Sequence, residues 1–527
     1  MSENTNIQTG EDWKPSHSPW LVTAAIMIGT FISVLDSTVA NVALPHMAGT
    51  FSATNEEALW IVTSYLIASG IILPSVAWFS KIFGRKNYYI GCIAIFTIAS
   101  VLCGLSKSLD QMLLARIIQG IGGGALMPIA QAILLESFPR EKRGLAMSVF
   151  GLGVLVAPIV GPLIGGWITD SFAWQWIFFI NVPFGILAII LSKIYIEDPP
   201  YAKKQGFQKI DYVGFTFLIL WLTTQQTVLD KGQNVDWFSS PLICTLTGIT
   251  IFSIMGFFIS QIKNKESIVD LSVFKDRNFA IGTAVMVVVM GVMYASIAIM
   301  PLFLQTLLGY SAFLSGYAVM PRGIGCIIGI VIIGIFSGKI DDRLFIVLGL
   351  IALGVSSIMF GFLSLDIAMI NIVIPNLICG FAMGISMTAL TTVSINTIKN
   401  SQMTNATGLQ SLLKETGGAI GTSVVSTILV RFSQMHQMNM VGNLNDLNPV
   451  FAERVATYTA AFAQNMHISE AALKANYVMY AELVKQSTLW GYMDAFRIFG
   501  LIALLIIPIV FLIKKPKIKE EETIILN

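Results

Sequence analysis

Apolar runs of about twenty residues recur along nearly the whole chain, separated by short polar or basic stretches. A helix needs ~20 mostly apolar residues to cross a hydrocarbon layer of ~30 Å. Runs of that kind fall near 20–44, 59–79, 88–106, 111–135, 145–168, 174–195, 211–230, 240–261, 279–304, 313–337, 343–364, 369–397, 406–431 and 487–513. The pattern predicts an all-α polytopic membrane protein with about fourteen spans.

The polar remainder orients these spans. Most of the 32 lysines and arginines fall in alternate connections: Lys14; Lys81, Arg85 and Lys86; Arg140, Lys142 and Arg143; Lys193 to Lys209; Lys263 to Arg277; Lys339 and Arg343; Lys399; and Lys514 to Lys519. The other set holds only Lys107, Lys231, Arg431, Arg454, Lys474 and Lys485. Basic residues concentrate on cytoplasmic loops. An even number of spans with both termini cytoplasmic is therefore expected. The polar start of the chain lacks a signal-peptide pattern, so the first span is expected to remain as a helix.

Two connections stand out. AWFSKIFGRK (77–86) has a weaker echo in GIFSGKIDDR (334–343), as expected for two six-helix halves with two helices inserted between them. The expected division is a tail at 1–19, a first half at 20–198, the inserted pair with its linkers at 199–277, a second half at 278–513 and a tail at 514–527. Residues 432–486 form a long polar connection on the outer side. Apolar residues at helical spacing in VFAERVATYTAAFAQN and ISEAALKANYVMYAELVKQ predict one or two amphipathic helices outside the membrane. These would serve as a cap over the outer mouth or as a docking surface for another protein.

Composition sharpens the class. With 55% apolar residues, 12% charged residues and a mean hydropathy of +0.75, the chain lies outside the range of soluble domains. The net charge of +2 carries little information, because basic residues act here by position. The five cysteines fall in apolar runs without a CxxC pair, which reads as core packing with neither disulfide nor metal site. No HExxH, GxSxG or Walker A run occurs. An enzyme is therefore not expected, nor ATP as the energy source, and no cofactor beyond a proton gradient is called for.

The charges inside the spans carry the chemistry. An ionisable side chain at membrane depth costs roughly 3 kcal/mol, so it lines a cavity, pairs or relays protons. Asp36 lies within MIGTFISVLDSTVANVALPH, about 24 Å along its helix by a rise of 1.5 Å per residue. Pro45 is expected to end or kink that helix, and Asn41 and Thr38 add polar groups beside the acid. Arg116, in LLARIIQGIGGGALMP, sits roughly 9 Å from the far end of its span. The two depths nearly coincide, so they form either a proton-loading pair or a static salt bridge.

Further candidates follow. Glu415 beside Lys414 is a second protonation candidate, and Asp494 a third, though Asp494 and Arg497 at i,i+3 can form a local pair. Tyr65, Met290, Tyr294, Gln305 and Arg322 join Asn41, Thr38 and Lys414 as candidates for a substrate pocket, since flexible Met and aromatic faces accept varied apolar shapes. Lys81, Gly84, Arg85 and Lys86 form either a positive anchor or a gate latch, with Glu136 and Glu141 as acids in reach. In GLGVLVAPIVGPLIGGWI, Pro158, Gly161, Pro162, Gly165 and Gly166 predict a closely packed, bent helix.

These stretches together resemble the major facilitator superfamily, specifically the EmrB type of its fourteen-helix drug:proton antiporters. LDSTVANVALP resembles that branch's first-helix motif, ARIIQG its fourth-helix arginine motif, and APIVGPLIGGW its fifth-helix antiporter motif; WQWIFFINVPFG, DWFSSP and IVDLSVFKDRNF resemble further stretches. The resemblance implies an alternating-access core and proton-driven export of hydrophobic or amphipathic drugs across the bacterial inner membrane, with Asp36 as the proton-coupling acid and Arg116 as its basic partner. It also implies a periplasmic adaptor and a TolC-like outer-membrane channel. An exporter dedicated to one solute, such as a fatty acid, siderophore or bile salt, is the alternative. The chain departs from the wider family where Lys81 replaces the loop's Asp and Ala77 its Gly.

Overall fold

A computed structural model describes residues 16–139, 142–199, 211–264, 269–336, 340–445 and 447–514. The first bundle consists of α1 (Pro19–Phe51), α2 (Asn55–Phe83), α3 (Arg85–Leu105), α4 (Leu109–Gly124), α5 (Leu126–Ser137), α6 (Arg143–Ser171), α7 (Trp176–Phe179) and α8 (Asn181–Tyr195). An inserted hairpin follows, α9 (Tyr212–Lys231) and α10 (Pro241–Lys263). The second bundle is α11 (Arg277–Thr306), α12 (Ala312–Val319), α13 (Pro321–Phe336), α14 (Asp342–Phe360), α15 (Ile370–Asn396), α16 (Met403–Val441), α17 (Pro449–Phe462), α18 (Ile468–Leu505) and α19 (Ile507–Val510).

Among the described residues, eleven helices are long and apolar enough to cross a membrane. The other three expected spans fall on helices as well: α6, α9 with its TTQQT stretch, and α16 with Lys414 and Glu415. Several expected spans are broken locally. The fourth divides at Ala125, after three consecutive glycines, and the tenth at Met320, just before Pro321. Pro45 does not end α1. The helix continues to Phe51 and stops where Ser52 takes a left-handed backbone, φ 53°.

The first bundle carries the basic residues Lys81, Arg85, Lys86, Arg143 and Lys193 at one end, hereafter the basic face. The bundles meet in the half nearest that face. Thr407 Oγ1 donates to Pro128 O at 2.9 Å and Arg143 Nη2 to Asn400 Oδ1 at 3.1 Å. A Cβ on Gly408 would sit 2.7 Å from Leu73 O, so α16 lies backbone to backbone against α2. On the other seam, a Cβ on Gly334 of α13 would sit 3.3 Å from Ser148 Cβ of α6.

The hairpin rests along the α2–α16 seam. One buried cluster joins Leu73, Trp78 and Ile82 of α2, Leu218 and Trp221 of α9, Phe257 of α10, and Ala406, Leu409 and Leu412 of α16. Its directional bonds run chiefly to α16: Ser423 Oγ to Leu229 O at 3.0 Å, Trp237 Nε1 to Thr427 Oγ1 at 3.1 Å, and the Arg431–Asp236 ion pair. α10 lies at the periphery, which leaves Cys244 exposed, whereas the other four cysteines are core residues as their apolar runs suggested.

α16 and α18 have 39 and 38 residues, or about 57–59 Å each at 1.5 Å per residue. Both exceed a ~30 Å hydrocarbon layer by more than 25 Å. The amphipathic stretch at 468–486 is thus the leading part of the last spanning helix, and α17 packs against it. Tyr477, Leu473 and Met438 are exposed on this projection.

Candidate functional site

Asp36 is 2% exposed and accepts three hydrogen bonds from three different side chains. Arg116 Nη1 donates to its Oδ2 at 2.6 Å; Gln119 Nε2 and Asn181 Nδ2 donate to its Oδ1 at 2.9 and 2.7 Å. Ser100 Oγ accepts from both amides at 3.3 and 2.9 Å and donates to Phe178 O. The site thus draws on α1, α3, α4 and α8.

Local sequence explains the convergence. Gln119 lies three residues after Arg116, on the same face of α4, and Arg116 Nη1 also donates to Gln119 Oε1 at 2.7 Å. Arg116 Nε donates to Ile61 O at 3.1 Å, and its guanidinium lies 4.4 Å above the Tyr65 ring. A Cβ on Gly120 would approach Tyr65 O to 2.6 Å, so glycine is what brings α4 close enough to α2 for these contacts. Tyr65 OH is shared with Ser33 Oγ at 3.2 Å.

Chemically this is a carboxylate site. Every group aimed at Asp36 is a donor, so the ionised form has its lone pairs filled. A proton arriving on Asp36 would remove the counter-charge of Arg116, a fully buried cation whose Nη2 has no other partner among the described residues. In the conformation seen here the acid is sealed.

A second pair of charges lies on α16, where Glu415 is exposed. It is within electrostatic reach of Tyr65 and of Tyr294, whose ring packs on Gly418. Lys414 turns toward α5, its Nζ 3.9 Å from Met127 Sδ.

Residues 26–422 match the model of the Major Facilitator Superfamily. The chain belongs to the major facilitator superfamily. It is 33% identical over 436 residues to the probable multidrug resistance protein EmrY of Escherichia coli (strain K12), covering 82% of this chain and 84% of that one. Over 432 residues it is 33% identical to the multidrug export protein EmrB of the same organism, covering 81% and 84%. Over 500 residues it is 32% identical to the fatty acid resistance protein FarB of Neisseria gonorrhoeae, covering 94% and 96%. Among solved structures, the human organic anion transporter MFSD10 matches with a TM-score of 0.61 at 13% identity, covering 94% and 100%; the proton:xylose symporter XylE matches at 0.58 and 14%, covering 93% and 95%. These two show the fold alone. The chain is a multi-pass membrane transporter of this superfamily, not an enzyme.

Other predicted site residues of this major facilitator are dispersed. Thr38 Oγ1 bonds back to Leu35 O at 2.8 Å and abuts Gly161, so it packs α1 on α6. Gly165 abuts Val39 in the same seam, whereas Gly166 has open space around it. The side chains of Asn41, Pro158 and Pro162 lie outside the described set, as does Glu141. Met290 is a core residue at 6% exposure, and Gln305 is exposed near the end of α11. Asp494 is engaged by Arg497 Nη1 at 3.3 Å and by His436 Nε2 at 2.7 Å, which ties α18 to α16 away from Asp36's partners.

Among the loop residues, one of the two expected acids is engaged. Arg85 forms a buried ion pair with Glu136, but both belong to the first bundle, so the pair does not span the two. Gly84 has φ 81°, a backbone that turns α2 directly into α3 and favours glycine. Lys86 Nζ donates to Lys193 O at 2.7 Å. Nearby, hydrogen bonds from Ser16 hold the Glu197 carboxyl below its usual range.

Exposed Lys81 lies in the field of Asp270, which follows the inserted hairpin. Partial burial would raise the Asp270 carboxyl, but bonds from Ser272 and Gln402 outweigh it and hold it below the usual range. Sequence reasoning passed over Gln119, Asn181 and Ser100. The signal was available for the first two: an amide at membrane depth must find a partner, and both lie in stretches already singled out.

Proposed function

We propose that this transporter is a proton-coupled antiporter that exports hydrophobic and amphipathic compounds across the bacterial inner membrane. The observation that carries it is the sealed Asp36 site, in which one carboxylate balances one buried guanidinium through donors from two helices. Proton loading on Asp36 releases Arg116 and loosens α1 from α4. Proton loss restores the pair and the packed arrangement. Glu415, exposed on α16, would meet a substrate or a second proton. The similarity to the multidrug proteins EmrY and EmrB supports export of several drugs.

We further infer cytoplasmic termini, from the basic face, and assembly with a periplasmic adaptor and a TolC-like outer-membrane channel. The projecting ends of α16 and α18 with α17 would supply the contact. A dedicated fatty-acid exporter is the second reading, supported by the similarity to FarB along nearly the whole chain. Asp36→Asn tests the first reading in inverted vesicles. Dye export driven by an imposed proton gradient should cease while the protein remains folded; undiminished export removes Asp36 from the coupling step. Mutual inhibition among unrelated dyes separates the broad exporter from the dedicated one.

A further inference from the structure

The second bundle also draws polar side chains together from its first, second and fourth spans, but its arginine stands on the second and no acid joins it among the described residues. Asp36, Tyr65 and Arg116 stand on the first, second and fourth spans of their bundle. Ser296 on α11, Arg322 on α13 and Asn376 on α15 stand on the first, second and fourth spans of the other. Arg322 is 7% exposed. Its Nε donates to Asn376 Oδ1 at 3.2 Å and its Nη2 to Ser296 Oγ at 3.1 Å. Asn376 is itself fixed by donation to Ile372 O at 2.9 Å.

Where Asp36 offers a charge, Ser296 offers only a hydroxyl. No carboxylate among the described residues forms an ion pair with Arg322. Its remaining nitrogen, Nη1, makes no hydrogen bond among the described residues and is not closed off, unlike the enclosed Nη2 of Arg116. A guanidinium does not shed its proton to escape burial. Its positive charge therefore needs a counter-charge from elsewhere. With two nitrogens pinned and one open, the planar fork is oriented for a carboxylate, sulfonate or phosphate oxygen. At this depth between spanning helices, such an anion arrives attached to an apolar body.

We propose that Arg322, positioned by Ser296 and Asn376, binds the anionic head group of an amphiphilic substrate and gives the transporter a preference for anions over cations of similar apolar size. The proposal rests on the exporter reading above and names the substrate class that reading leaves open. The head group of an anionic lipid has the same chemistry and is the competing occupant.

The test uses the full-length protein in phosphatidylcholine vesicles, with 8-anilinonaphthalene-1-sulfonate as anion and ethidium as cation. Two variants remove the free charge by different routes: Arg322→Gln deletes it, and Ser296→Asp neutralises it in place with the acid that the first bundle has. Either should weaken sulfonate binding and raise its KM by roughly tenfold or more, the loss expected when a charge-assisted hydrogen bond goes. Any loss of ethidium export should be several-fold smaller than the loss for the sulfonate.

Equal loss for both probes would make Arg322 a packing residue and overturn the proposal. So would unchanged sulfonate handling in Ser296→Asp. If added phosphatidylglycerol displaces the sulfonate from the parent, and the sulfonate is never exported, the site holds lipid and the substrate assignment falls. If the parent binds sulfonate in an Arg322-dependent way but exports neither probe, the binding site stands and the exporter reading fails.

Discussion

Breaking the Asp36–Arg116 pair from one side and then from both separates the energetics of the site from its role in transport. Asp36→Asn replaces a carboxylate that fills three donors with an amide whose nitrogen cannot accept. If the new amide oxygen keeps Gln119 and Asn181, its NH2 group points at Arg116 Nη1 and sets donor against donor. Arg116 then stays fully buried with its charge met only by neutral groups, the oxygens of Gln119 and Ile61 and the rings of Tyr65 and Phe178, the last two at 4.4 and 5.8 Å. Removing one partner of a buried ion pair costs about 3–5 kcal/mol. The single variants Asp36→Asn and Arg116→Gln should each lose about that much. The double variant carries two neutral amides at the same positions and no net buried charge, so it should recover most of the loss.

With about 3–5 kcal/mol lost in each single variant and less than either in the double, the expected coupling exceeds about 3 kcal/mol, at or above the top of the range for residues in contact and well above additivity error. Thermal unfolding of detergent-purified protein, followed by tryptophan fluorescence, measures the cycle, and dye export in vesicles measures function. Stability should return in the double variant while export does not. Additive losses would mean that the charges do not neutralise one another. Recovered export with no acid present would refute the coupling argument altogether.

Three other outcomes follow from the packing. Gly408→Leu would put a Cβ 2.7 Å from Leu73 O and drive the rest of the side chain into the α2 backbone. It should hold the α2–α16 seam apart on the basic face and cut export by about tenfold or more with little change in expression; a cysteine-accessibility scan of α16 reads the opening. Excising residues 437–486 and closing α16 to α18 with a short turn keeps the Ser433–Gly491 contact. It should spare export in proteoliposomes but abolish resistance in cells, where the adaptor is needed; loss in both settings would make the projection part of the pump itself. Asp270 is held below its usual range in the folded protein, so its stabilising effect is complete above the ordinary Asp pKa of about 3.9 and fades as pH falls through the lower folded value. Limited proteolysis after α10 should rise only under that acid condition in the parent, and at neutral pH in Asp270→Asn.

The helices were legible because membrane depth imposes a length and an apolar composition on each span, and those two quantities can be read without knowing any contact. The Asp36–Arg116 pairing was legible for a similar reason: two charges at one depth in a hydrocarbon layer have few other places to go. What could not be read was how the charge is shared. Gln119 and Asn181 are neutral, and nothing in their local sequence distinguishes an amide aimed at a carboxylate from one aimed at a backbone carbonyl. Arg85 and Glu136 could be read as a base and an acid in reach of one another; that both belong to the first bundle is set by packing. Pro45 shows it again, since a proline inside a span ends the helix only when no neighbouring helix supports the turn around it. The same distinction bears on Arg322. Its charge was visible in the chain, but the missing acid was not, because an absence becomes evident only when Ser296 is seen standing on the first span of its bundle, as Asp36 does in the other.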